Sequence, residues 1–165
     1  EEAPDFETLY RHIAEDLLRR ATEQGDLVYA VPGSPLVAER TVVLLRELAK
    51  ETDTAVDILP GMSFVEVMYT RLGIDPIECL TILDAEDVST LKERPAQSLV
   101  ITQVYDPIIA SDTKLMLMEF YPDEYEVTYI HNLALPDESI RKIPLYELDR
   151  QKDVDHLTSL FVPAQ

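Results

Sequence analysis

Two short turns concentrate the groups suited to holding a polar ligand. One is Val31-Pro32-Gly33-Ser34-Pro35; the other is Leu59-Pro60-Gly61-Met62-Ser63-Phe64-Val65-Glu66. Each follows an apolar run and precedes a helical pattern. Each therefore falls at the carboxyl end of an expected strand, where open α/β sheets take their ligands. A helix N-terminus there presents backbone N–H groups with no helical partner, which suit a carboxylate or the polar edge of a cofactor. Ser34 has the chemistry of an N-cap, with Pro35 as first helical residue. Ser63 and Glu66 have capping-box spacing. Ordinary tight turns with good caps look the same, so spacing leaves both readings open.

Other reactive types are scattered. His12, His131 and His156 lie far apart and in no H-x-x-x-H or H-E-x-x-H pattern, so they read as surface or core residues rather than metal ligands. Cys79 sits at the head of an apolar run and reads as a small core residue. Asp84, Glu86 and Asp87 cluster, as do Asp123, Glu124 and Glu126, but neither set has calcium-loop spacing. No metal site and no hydrolytic triad is expected.

The elements that must carry these turns alternate. Phe6, Leu9, Tyr10, Ile13, Leu17, Leu18 and Ala21 recur on one helical face from Phe6 to Gln24, and Gly25 is a natural stop. Leu27–Val31 and Ala55–Leu59 read as strands buried on both faces. A helix is expected from Leu36 to Lys50 and another from Ser63 to near Gly73. The second half is richer in strands: Cys79–Leu83, Leu99–Tyr105, Tyr125–His131, Ile140–Tyr146 and Leu160–Pro163. One helix, Ile108–Phe120, lies among them, with Leu115, Met116 and Met118 as core. Short turns such as Leu135-Pro136-Asp137-Glu138 imply antiparallel pairing there. The pattern is α/β, a parallel-sheet lobe over 1–75 followed by a mixed-sheet lobe over 76–165.

Composition narrows the partners. The 165 residues carry 14 Lys+Arg against 32 Asp+Glu, a net charge of −18, which repels nucleic acid and anionic membranes alike. No apolar stretch approaches the roughly 20 residues of a membrane span. A single Cys fits a reducing compartment, and the expected location is the cytoplasm. With only 4 Gly there is no Gly-rich phosphate loop in these residues.

Across the chain, Val28-Tyr29-Ala30-Val31-Pro32-Gly33-Ser34-Pro35-Leu36-Val37-Ala38-Glu39-Arg40-Thr41, Leu59-Pro60-Gly61-Met62-Ser63-Phe64, Gly73-Ile74-Asp75-Pro76-Ile77-Glu78 and Gln103-Val104-Tyr105-Asp106 follow in order. Ile143-Pro144-Leu145-Tyr146-Glu147-Leu148-Asp149-Arg150 and Leu157-Thr158-Ser159-Leu160-Phe161-Val162-Pro163 complete the set. In these blocks the chain resembles the tetrapyrrole (corrin/porphyrin) methylase family, above all the branch fused upstream of a MazG-type nucleoside triphosphate pyrophosphohydrolase.

The resemblance implies two α/β lobes, S-adenosylmethionine in a cleft, a small-molecule acceptor and a homodimer. It implies a cofactor wall of Gly33, Ser34, Val37, Met62, Ser63 and Phe64, continued by Thr102, Gln103, Val104, Asn132, Leu133 and Ala134. Tyr105 and Asp106 are the acceptor-side candidates. Members of the family open with a strand and a Gly-rich turn, so the first lobe is expected to lack its leading strands here. A MazG-type region is expected elsewhere in the protein. The first turn reads Gly33-Ser34-Pro35 where Gly-Asp-Pro is common.

Methyl transfer from a sulfonium is an in-line displacement that needs alignment rather than a nucleophilic side chain. Only Arg40, Arg71 and Lys114 look placed to meet a polycarboxylate, so an acceptor other than a standard corrin precursor is expected. The alternative is a degenerate ligand-binding module that regulates an attached pyrophosphohydrolase.

Overall fold

Local chemistry sets the first helix. In the computed structural model, which describes residues 5–164, α1 runs Phe6–Gln24. The Asp5 side chain caps it, accepting the Thr8 N–H at 2.7 Å, and Gly25 ends it at φ +87°. Helix α2 (Arg40–Glu51) buries Val42, Leu44 and Ala49, while α1 buries Ala14 and Leu18. The helices pack together, and Arg40 forks onto the Glu7 carboxylate at 2.7 and 2.9 Å. Helix α3 spans Phe64–Leu72.

Two expectations fail in this half. Helix α2 begins at Arg40 rather than Leu36, and its N-cap is Glu39, so Ser34 and Pro35 do not start it. The Val37 N–H bonds the Ser34 carbonyl at 3.2 Å and Ala38 turns to φ +55°, which makes a separate turn before the helix. The runs Leu27–Val31 and Ala55–Leu59, expected as strands, join no ladder among the described residues. A run buried on both faces needs neighbours to take its N–H and C=O groups. Without them Val28 is 90% exposed and Leu59 78%.

The chain divides into two units between Glu66 and Val67. The second holds a five-stranded mixed sheet in the order β1-β2-β5-β3-β4. Its strands are β1 (Leu80–Asp84), β2 (Ser98–Thr102), β3 (Glu126–His131), β4 (Ser139–Pro144) and β5 (Thr158–Val162). Strands β1 and β2 are parallel and every other pairing is antiparallel. The expected strands are all present, shifted by a residue or more at their ends. Cys79 lies outside β1, exposed and at φ +61°, so it is not the core residue its apolar neighbours implied. Ile140–Tyr146 divides into β4 and a 3-10 helix, Leu145–Arg150.

Alternation decides which strand residues face the helical layer. Leu99 and Ile101, Val127 and Tyr129, and Leu160 and Val162 form one core with Ala110 and Leu117 of α4 (Pro107–Met118). The 3-10 helix contributes Leu145 and Leu148 to the same core. Leu115 stays 57% exposed, whereas Met116 and Met118 are half-buried and pack against the core as expected; the fully buried stripe of α4 is Ala110, Thr113 and Leu117. Truncating any one large core side chain to alanine is expected to cost about 2–5 kcal/mol.

Candidate functional site

The two ligand-type turns of the first unit meet. Gly33, at φ +78°, sets its carbonyl oxygen 2.3 Å from where a Cβ on Gly61 would stand. A Cβ on Gly33 would lie 3.6 Å from the Met62 carbonyl. Backbone therefore packs directly on backbone, and Gly61 has no room for a side chain. Ser34 and Val37 are half-buried beside this crossing, and Met62 is 74% exposed. Ser63 is buried, its Oγ accepting the Val65 N–H at 3.1 Å at the start of α3, while the Glu66 N–H goes to the Ser63 carbonyl at 3.1 Å. Phe64, the first residue of α3, is half-buried.

The remaining wall candidates gather at one edge of the sheet. β2 and β3 are each antiparallel to β5, so they run in the same direction, and β1 runs with them. Their carboxyl ends point to a single edge. Ile101 and Tyr129 both pair with Leu160, so Gln103 and His131, two residues on in each chain, stand level across β5. The two chains are then about 10 Å apart. Gln103 at φ +61°, Asn132 at φ +52° and Ala134 at φ +67° are left-handed without being glycine. Such residues are sparse and persist only where their surroundings hold them.

Thr102 donates its hydroxyl to the Leu83 carbonyl at 3.3 Å, and Val104 is fully buried in the core. Asn132 donates its N–H to Leu157 at 3.3 Å and accepts the Leu135 N–H at 2.9 Å. No partner is found among the described residues for the Leu133 N–H, at the centre of that turn.

Tyr105 is 37% exposed. Asp106 is the N-cap of α4, its Oδ1 accepting the N–H groups of Ile108 at 2.7 Å and Ile109 at 2.8 Å. That carboxylate is occupied by the helix end it stabilises.

A polar cluster beside the same edge was not visible in the sequence. Arg141 of β4 clasps Asp153 at 2.6 and 3.0 Å and lies 4.2 Å over the Tyr129 ring. The Arg141 guanidinium holds the Asp153 carboxyl below its usual range. Burial pushes the Tyr129 phenol up to about 12. His131 stands between two carboxylates, with Nδ1 3.7 Å from Asp153 and Nε2 3.1 Å from Asp155. The second contact is close enough for an ion pair but is not aligned as a hydrogen bond. Burial works against the Asp155 carboxylate, but the Leu157 N–H and His131 outweigh it and hold that carboxyl below its usual range. The one sequence hint was Asp153-x-Asp155 beside a strand end.

A second missed tie joins Arg71 of α3 to Glu138, at 2.8 Å and 67 residues apart. The three cations expected to meet an anionic acceptor all have carboxylate partners: Arg40 with Glu7, Arg71 with Glu138 and Lys114 with Asp149. Among the described residues no group of three or more His, Cys, Asp or Glu could hold a metal ion, and no helix is long and apolar enough to cross a membrane.

Comparison with known proteins places this geometry. The family model of the Tetrapyrrole (Corrin/Porphyrin) Methylases matches residues 1–149. The chain is 42% identical over 163 residues to the uncharacterized protein YabN of Bacillus subtilis (strain 168), covering 99% of this chain and 33% of that protein. It thus spans about one third of the length of this curated relative.

Among solved structures, the methyltransferase CobJ superposes with a TM-score of 0.72 at 14% identity, over 94% of this chain and 71% of that one. The cobalt precorrin-4 methyltransferase CbiF gives 0.68 at 13% identity, over 92% and 69%. Diphthine synthase gives 0.67 at 14% identity, over 94% and 66%. At these identities the likeness is one of fold, an α/β fold with a mixed sheet. With its family model matched over 149 of 165 residues, the chain belongs to the tetrapyrrole (corrin/porphyrin) methylase family.

Proposed function

We propose that this chain is an S-adenosylmethionine-dependent methyltransferase domain whose acceptor is a small molecule other than a standard corrin precursor. The observation that carries the reading is the sheet edge where β1, β2 and β3 end, with Gln103, Asn132 and Ala134 all left-handed. Open α/β sheets bind ligands at such edges, and strained backbone collects where a ligand must be met. The residues present fit a cofactor of this kind. The Leu133 N–H is unpartnered among the described residues.

When bound, the cofactor supplies an electrophilic methyl group. The residues around it align donor and acceptor and exclude water. Thr102, Gln103, Val104, Asn132, Leu133 and Ala134 are the proposed contacts. Tyr105 remains the acceptor-side candidate, with Asp106 in support through α4.

The acceptor's charge follows from the ion pairs. Arg40, Arg71 and Lys114 already face carboxylates, and the net charge is −18, so a polycarboxylate would meet repulsion. A neutral or cationic acceptor fits better. Calorimetric titration of the full-length protein with S-adenosylmethionine tests the reading. Saturable binding is expected, and no detectable heat at millimolar cofactor would sink it. Binding without turnover of any acceptor would favour the regulatory alternative, for which Ser34 in the first turn is the supporting observation.

The wider assembly belongs to the same proposal. About two thirds of the Bacillus relative lies outside the matched region, which leaves room for a MazG-type pyrophosphohydrolase. Leu27–Val31 and Ala55–Leu59 are apolar and unpaired among the described residues, so a strand from elsewhere in the longer protein would complete their hydrogen bonding. Amide exchange at these ten positions is expected to slow at least about tenfold in the longer protein relative to residues 1–165 alone. Equal rates would count against that pairing. Ile108 and Leu115, 72% and 57% exposed and two turns apart on α4, give an apolar stripe for a second copy. A lone exposed Cys79 suits the reducing cytoplasm.

A further inference from the structure

The turn between β3 and β4 is held from its far end. Glu138, the last residue before β4, reaches back so that its Oε2 accepts the Ala134 N–H at 2.7 Å. Its Oε1 accepts the Arg71 Nε–H at 2.8 Å. One residue earlier, Asp137 accepts from the Asn132 side-chain amide at 2.6 Å. The two residues held in this way, Asn132 and Ala134, are both left-handed.

The two differ in what they need. Asparagine tolerates this conformation because its side chain can hydrogen-bond locally. Alanine has a Cβ that clashes and no polar group to compensate, so Ala134 needs support from outside itself. Glu138 supplies that support. The Ala134 N–H first, and Arg71 second, hold the Glu138 carboxyl below its usual range, so it is ionised at neutral pH. An ionised acceptor makes the stronger bond to a backbone N–H.

We propose that Glu138 is a positioning residue for cofactor binding, latching Ala134 in its left-handed conformation while Arg71 fixes the other carboxylate oxygen. This rests on the reading of Asn132-Leu133-Ala134 as part of the cofactor wall. Both Glu138 oxygens are engaged by protein donors, so its effect passes through the shape of the turn. That shape decides where the Leu133 N–H, unpartnered among the described residues, is presented.

The test uses the full-length protein with Glu138→Ala, Glu138→Gln, Arg71→Met and the double variant Glu138→Ala/Ala134→Gly. Two quantities are read: the Kd for S-adenosylmethionine by calorimetry, and the exchange rate of the Ala134 amide. Glu138→Ala should raise Kd about tenfold and speed Ala134 exchange by a similar factor. Glu138→Gln keeps a carbonyl oxygen for Ala134 and should stay within about threefold of wild type. Arg71→Met leaves the Ala134 bond but frees the other oxygen, and should weaken binding about threefold.

Glycine adopts the left-handed conformation without a Cβ clash, so Ala134→Gly should recover at least about threefold of the affinity lost in Glu138→Ala. A merely structural role for Glu138 would not produce that recovery. With turnover measured, the cofactor KM should rise while kcat holds, because no reacting group is touched.

Wild-type affinity in Glu138→Ala overturns the latch, as does unchanged Ala134 exchange or a failed glycine recovery. If Glu138→Ala does not fold, wild-type affinity and exchange in Arg71→Met overturn it. A wild-type protein that binds no cofactor, yet shows faster Ala134 exchange in Glu138→Ala, overturns the cofactor reading and this role with it, while showing that the hold on the turn is real.

Discussion

The Gly33 carbonyl oxygen lies 2.3 Å from the place a Cβ would occupy on Gly61, so the two turns of the first unit cross backbone to backbone. Glycine is required at 61 by space, not by conformation, whereas at Gly33 a Cβ would make an ordinary contact and it is the φ of +78° that favours glycine. Gly61→Ala is therefore expected to push one turn off the other and destabilise the unit by about 1–3 kcal/mol. Gly73→Ala is the control. It has open space around it and only its φ of +66° to strain, so about 1 kcal/mol is expected there. Urea unfolding of the three proteins checks the order. Equal midpoints for Gly61→Ala and wild type would mean that the crossing is not close.

Asp106 caps α4 through two backbone N–H groups. Asp106→Ala should cost about 0.5–2 kcal/mol, while Asp106→Asn keeps an amide oxygen for the same bonds and should cost little. The pair of variants also tests the acceptor-side assignment. If Asp106→Asn keeps stability but loses methyl transfer, the charge itself acts on the acceptor. Full activity in Asp106→Asn would limit the residue to capping.

Tyr129 is fully buried, and its phenol is pushed up to about 12 against the usual value of 10.0. The folded state then keeps a proton that the unfolded state releases. The stabilisation is complete below pH 10 and is lost as pH rises from 10 towards 12, at up to about 1.4 kcal/mol per pH unit. Tyr129→Phe keeps the ring beneath Arg141 and removes this dependence. Urea midpoints at pH 9, 10 and 11 should fall more steeply for wild type than for the variant. Parallel slopes would assign the alkaline loss to other groups, Tyr121 among them, since burial raises its phenol too.

Much of the fold was legible in the residue pattern. The 19-residue α1 came from seven apolar positions at helical spacing and a closing glycine, and the five strands of the second unit came from short β-rich runs. These signals are local: periodicity, caps and turn residues act within a few positions of one another. Leu27–Val31 and Ala55–Leu59 carried the same local signal and formed no ladder among the described residues, because a strand exists only with a partner. Ser34 had the right side chain for a cap, but Ala38 turned left-handed and moved the helix start to Arg40.

Sequence alone was enough to mark the two glycine turns, the α/β class and the segments that end at the candidate site. It also carried the likeness to the methylase family. Tertiary structure decided what those segments meet. The order β1-β2-β5-β3-β4 brings Gln103 and His131 level although 28 positions separate them, and no local pattern encodes which strand inserts between two others. Arg71 and Glu138 are 67 positions apart in the chain and 2.8 Å apart in space. Charged side chains find partners through the packing of the elements that carry them, and that packing delivers a carboxylate to the N–H of the left-handed Ala134.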